Sequence, residues 1–170
     1  MNRFVPIVVL IALWLGAGNF AQSQQLTIDR QPAVAGQFYP SGKSELYSML
    51  VGLFSKAVPS KGIPNVLAII CPHAGYVFSG DVAASCYNQI DPSKKYDNIF
   101  ILGPSHYVGF DGGSIYDSGN FVTPLGTVEV NTRLAKELIA KYPFFTDRSD
   151  AHLHEHSIEV QLPFLQHILK

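Results

Sequence analysis

Apolar positions change rhythm several times along this chain, and each rhythm predicts an element. Leu46, Met49, Leu50, Leu53 and Phe54 recur at i, i+3, i+4, i+7 and i+8, the stripe of a core-facing helix that starts at Ser41 or Ser44. Residues 65–71 and 98–102 are instead short, near-continuous apolar runs rich in Val and Ile. Such runs predict strands covered on both faces, as in a parallel sheet. Between them, Val82, Ala83, Cys86, Tyr87 and Ile90 share one stripe of a helix over residues 79–90. Ser79 or Asp81 can cap its start, and Asp91-Pro92 stops it. Strand, helix and strand here make a βαβ unit with a right-handed crossover.

Further along, short strands are predicted at residues 113–116 and 127–130, with the turn-rich Asp117-Ser118-Gly119-Asn120 between them. Asn131 caps a helix that carries Leu134, Leu138 and Ile139. Phe144-Phe145 predicts another short strand. Ile158, Leu162, Leu165, Ile168 and Leu169 predict a last helix, which Pro163 should kink or restart. Residues 30–40 read as an irregular lead-in. The elements describe an α/β fold in one domain, residues 24–170, with a mostly parallel sheet flanked by helices.

The N-terminal pattern is different. Arg3 is the only charge before Asp29, and residues 4–17 are an apolar core of signal-peptide length. Ala21-Gln22-Ser23 offers small residues for cleavage. Residues 1–23 are therefore expected to be an export signal, leaving no stable membrane span once removed; an uncleaved anchor is the alternative. Export implies a periplasmic or extracellular protein, in which Cys71 and Cys86 either pair or remain small buried hydrophobes. With 12 basic against 13 acidic residues and no basic run, nothing points to nucleic acid.

Candidate chemistry sits where the two predicted strands end. Cys71-Pro72-His73-Ala74-Gly75-Tyr76 follows the first and Gly103-Pro104-Ser105-His106 the second. Ligand and catalytic groups gather beyond the carboxyl ends of such strands. Neighbouring strands lie about 4.8 Å apart, so His73 and His106 can converge on one metal ion or act as an acid–base pair. Pro72 and Pro104 stiffen the loops that aim them. A third cluster, His152, His154 and His156, lies in residues 150–163. On a strand these three share a face; on a helix starting near Glu155, His156 and Glu159 share one instead. A serine or cysteine nucleophile, Ser105 beside His106 or Cys71 beside His73, lacks the Gly-x-Ser-x-Gly elbow.

Four blocks together resemble the Memo-like family: Pro72-His73-Ala74-Gly75-Tyr76, Gly103-Pro104-Ser105-His106, Thr123-Pro124-Leu125-Gly126, and Glu155-His156-Ser157-Ile158-Glu159-Val160-Gln161-Leu162-Pro163. Gly36-Gln37-Phe38-Tyr39-Pro40 fits as well. Bacterial members include protein B of the AmmeMemoRadiSam system. The family is similar in structure to class III extradiol (LigB-type) dioxygenases, which use non-haem iron. The resemblance implies a three-layer, LigB-dioxygenase-like α/β fold and a metal pocket lined by His73 and His106, with Fe(II) or copper as the cofactor. It implies His156 as a catalytic histidine, and Tyr76, Ser105 and Glu159 as pocket or supporting residues. It also implies a C-terminal half carrying the third metal ligand, which this chain does not contain, so the chain is expected to be the N-terminal part of such a domain. The ligand would be a small molecule or a peptide. A dioxygenase-like activity, a non-enzymatic binding module and an inactive fragment are the three functional expectations.

Overall fold

A computed structural model describes residues 27–169. The expected export signal, residues 1–23, lies outside the described residues. The elements run α1 (Lys43–Lys56), α2 (Tyr76–Tyr87), β1 (Gly113–Ser114), β2 (Phe121–Thr123), β3 (Gly126–Val128), α3 (Thr132–Lys141), β4 (Phe145–Thr146), α4 (Asp150–Leu153), a 3-10 turn at Glu159–Gln161 and α5 (Leu162–Ile168).

The main core lies between α1, α2 and α5. Leu46 and Leu50 of the predicted stripe are fully buried there, against Tyr76, Ala83, Ala84, Tyr87, Val160 and Phe164. Tyr87 and Phe164 stack with ring centroids 5.3 Å apart. Gly80 lets α2 approach α1, because a Cβ there would lie 2.9 Å from Leu53 Cδ1. Helix α2 begins three residues earlier than its apolar stripe suggested. Gly75 occupies the N-cap position, and Tyr76 N donates to Phe38 O at 2.8 Å. The anchor is a backbone contact from the lead-in, which side-chain periodicity does not register. Asn131 caps α3 as expected, its side chain accepting from Leu134 N at 3.0 Å. Pro163 falls in the first turn of α5, where its missing N–H leaves no bond unmade, so the helix restarts there.

The lead-in is held by one buried acid. Glu159, fully buried, pairs with the buried Arg30. Its carboxylate also accepts from Ala33 N at 2.9 Å, Val34 N at 3.1 Å and the Tyr39 hydroxyl at 2.5 Å. Arg30 Nε donates to His152 O at 3.1 Å and Nη2 to Glu155 O at 2.5 Å. Residues at opposite ends of the described chain are thus joined, and both charges keep polar partners, as buried charges require.

The sheet departs from expectation. Among the described residues there are two two-stranded sheets: β1 pairs with β4 in parallel, Gly113 opposite Phe145, and β2 pairs with β3 antiparallel. This is a mixed α/β arrangement, but the expected three-layer central parallel sheet is not formed among these residues. Residues 65–71 and 98–102, expected as its strands, have no strand pairing. They touch the core on one side only, through Ile69, Cys71 and Ile101. On the other side Leu67, Ile70 and Leu102 are more than nine-tenths exposed. The physical reason is that a strand exists only by exchanging backbone bonds with a neighbour. The apolar pattern records a need for cover on two faces, and the described residues supply one.

Candidate metal centre

Three loops meet at the site. Residues 71–75, leading into α2, carry His73; Gln161 Nε2 donates to Pro72 O at 3.0 Å and holds this loop over the 3-10 turn. Residues 103–108 carry His106. Ser157 Oγ donates to Pro104 O at 2.8 Å, and the Ser105 hydroxyl closes the loop on Val108 O at 2.7 Å. Gly103 has no room for a side chain, because a Cβ there would lie 2.5 Å from Ser157 Oγ. The third loop, between α4 and the 3-10 turn, carries Glu155, His156 and Ser157.

The three imidazoles gather, His106 and His156 stacked and His73 tilted by 50° to both. Ring centroids are 5.3 Å apart for His73 and His106, 5.9 Å for His73 and His156, and 4.6 Å for the stacked pair His106 and His156. One nitrogen from each lies within 4.8 Å of the others. Nitrogens bound at about 2 Å to one ion lie up to about 4 Å apart, so small ring rotations bring the three onto a metal. His156 Nδ1 is buried and makes no hydrogen bond, with Glu155 Oε1 3.5 Å away. Burial lowers the His156 pKa, and the neighbouring His106 and His73 add to the effect against Glu155 and Glu159. The shift favours the neutral form that binds metals. Phe38 packs on it with centroids 4.7 Å apart. This donor set fits a borderline transition metal such as iron, copper or zinc.

Beneath the rings lies Glu155, whose side chain is 6% exposed. Burial alone would raise its pKa. Hydrogen bonds donated by the His106 N–H, the Ser157 N–H, the His106 ring and the His156 N–H outweigh that and hold it down to about 2. Beside the centre a trench of about 380 Å³ opens between residues 66–71 and 96–103, with His73 and Ser157 among its walls.

The expected residues fall in different places. His73 and His106 come together, as the strand-end argument required, although no strands deliver them. His156, expected as a catalytic histidine, lies with them. Its neighbours separate from it: His154 is exposed, and His152 packs elsewhere, Nε2 lying 3.0 Å from Ser114 Oγ. Tyr76 lies in the core under the site, its hydroxyl donating to Val160 O at 2.8 Å. Ser105 is exposed and turned to its own loop. Glu159 is consumed by the lead-in network. Glu155 was missed, because its contacts with His106 span 49 residues and leave no local pattern. Cys71 and Cys86 are free thiols. Burial, then the adjacent Cys86, pushes Cys71 up to about 12, which leaves it protonated and a poor nucleophile.

The Memo-like protein family matches residues 30–170. This chain belongs to it. It is 42% identical over 146 residues to a MEMO1 family protein of Metallosphaera sedula, covering 81% of this chain and 52% of the relative. It is 44% identical over 140 residues to MEMO1 family protein PYRAB05390 of Pyrococcus abyssi, covering 82% and 47%. A MEMO1 family protein of Aquifex aeolicus is 44% identical over 137 residues, covering 81% and 49%. The Memo-like chain thus spans about half the length of the curated relatives it matches. The aligned half includes all three histidines of the cluster.

Proposed function

We propose that this Memo-like chain binds a transition-metal ion, iron(II) or copper, on His73, His106 and His156. The observation that carries the proposal is the approach of three imidazole nitrogens to within 4.8 Å of one another. When bound, such a metal supplies Lewis-acid and redox chemistry toward oxygen-donor ligands. The chain's own residues do the rest. Phe38 and the buried side of the third loop shield His156 from water. Ser157 and Gln161 hold the other two loops in place, and the apolar trench beside His73 gives a small molecule with an apolar body a place to lie. A His156 nitrogen that ligates a metal has given up its lone pair, so that nitrogen cannot also be the general base. The reading follows the family resemblance to extradiol dioxygenases, with ring-opening of a catechol-type substrate as the activity to test.

The test is anaerobic titration of Fe(II), and separately of copper, into the chain and into His73→Ala, His106→Ala and His156→Ala variants. One ion per chain is expected. Each variant should lose more than the roughly 10–100-fold that an outer partner typically costs. Equal binding by all four proteins would sink the proposal. Stoichiometric metal without turnover of any catechol would move the reading to a binding module.

We propose further that residues 1–23 direct export. Among the described residues no helix is long and apolar enough to cross a membrane. Mass spectrometry of the secreted or periplasmic product should find cleavage after residue 23; a full-length cytosolic product would contradict it.

A further inference from the structure

We infer that Glu155 is the positioning residue of this centre, fixing the His106 imidazole as its Nδ1–H tautomer so that Nε2 is the nitrogen offered to a metal. The inference rests on the metal-centre reading for its purpose, though its core is observable without metal.

One carboxylate accepts an unusual number of bonds here. Glu155 Oε2 accepts from His106 N at 2.6 Å. Glu155 Oε1 lies 2.9 Å from His106 Nδ1 and accepts from His156 N and Ser157 N, both at 2.8 Å. The bonds from His156 and Ser157 are local and close a turn that many acidic or hydroxyl side chains can close. The bonds from His106 are not explained by that turn. They cross 49 residues and grip one histidine twice, by backbone and by ring. Both carboxylate oxygens already act as acceptors, for the backbone N–H groups of His106, His156 and Ser157. Toward the His106 ring the carboxylate therefore accepts as well, and the hydrogen between them belongs to Nδ1. A neutral imidazole protonated at Nδ1 carries its lone pair on Nε2.

Carboxylate, histidine and metal in that order is the arrangement in which the outer acid sets the tautomer, the ring orientation and the basicity of the ligand. The placement is informative because the other contacts of the His106 ring are with the rings of His156 and His73, which do not select a tautomer. The His106 side chain is 37% exposed, and its loop has no regular structure. Without Glu155 the ring would be free to take either tautomer. Glu155 also links the loops of His106 and His156 through a single buried group, so the spacing of those two rings is set before any metal arrives. Such preorganisation removes an ordering cost from binding.

The test is long-range ¹H–¹⁵N spectroscopy of the ring nitrogens in metal-free protein, with Fe(II) or Zn(II) affinity measured alongside. Wild type should show the neutral His106 ring protonated at Nδ1. Glu155→Gln, which cannot accept at both oxygens, should give a mixture or the Nε2–H form and lose about 10–100-fold in affinity. Glu155→Asp should recover part of both. Ser157→Ala removes the neighbouring Ser157–Pro104 bond and should leave the tautomer unchanged, which separates positioning from loop integrity. An Nε2–H tautomer at His106 in wild type would overturn the inference whether or not any variant folds. So would Glu155→Gln with unchanged tautomer and affinity. A wild-type chain with the expected tautomer but no metal affinity would support the positioning geometry and overturn the metal-centre reading, so the two failures are distinguishable.

Discussion

Glu155 and Glu159 stand four residues apart and divide the labour of this chain between them. Glu159 is walled in by Arg30, two backbone N–H groups and the Tyr39 hydroxyl. Glu155 is turned toward the histidines. Replacing Glu159 with Gln leaves the buried Arg30 without the carboxylate it pairs with, a change that typically costs about 3–5 kcal/mol. Urea unfolding should show it as a lower midpoint with an unchanged slope; a midpoint within error of wild type would mean the network is dispensable. Glu155 makes a pH prediction. Its folded pKa, about 2, lies below the unfolded value near 4.3, so the native state binds its proton less readily. The stability this gives is present above the unfolded value and is lost as pH falls from about 4.5 toward 2. The loss is on the order of 2–3 kcal/mol. Comparing acid unfolding of wild type and Glu155→Gln checks it, since the variant should lack that component.

At the scale of elements, most helices and three short strands were legible. The expected strands at 113–116, 127–130 and Phe144-Phe145 overlap β1, β3 and β4, whereas the two long apolar runs pair with nothing among the described residues. The α1 stripe named Leu46 and Leu50, the two fully buried leucines of that helix. Asn131 and Pro163 marked a cap and a restart because their effects are local and steric. Strand β2 (Phe121–Thr123) was missed, since the turn residues before it dominate a three-residue segment and its partner sits just across the turn at Gly126. The loops of the site depend on close approach as well as on pattern. Gly103 faces Ser157 so closely that a methyl group would force them apart. Gly103→Ala should therefore displace the His106 loop and weaken metal binding at least about 10-fold, with only a modest change in melting temperature. Unchanged affinity in that variant would show that the loop accommodates the methyl.

For the whole molecule, the unbalanced feature is the face formed by residues 65–71 and 98–102. Leu67, Ile70, Phe100 and Leu102 expose more apolar surface together than a monomer commonly leaves in one place. An environment-sensitive dye such as ANS should bind the folded chain. The combined Leu67→Ser, Ile70→Ser and Leu102→Ser variant should lose most of that signal and stay soluble at higher concentration, with helix content unchanged. Strong dye binding that persists in the triple variant would place the apolar surface elsewhere.

The residues alone determined the family, the helical core and the pairing of His73 with His106. Each of those rests on local spacing: a 3.6-residue period, a proline after an apolar run, or a run of identities. Tertiary structure alone decided that His156 joins them while His152 and His154 turn away, that Glu155 bonds to the His106 loop and Glu159 to the lead-in, and that two strand-like runs have no strand partner among the described residues. These outcomes depend on which groups meet across tens of residues. The free energy of a buried charge or an unpaired backbone group is set by such distant partners, and no short stretch of sequence contains them.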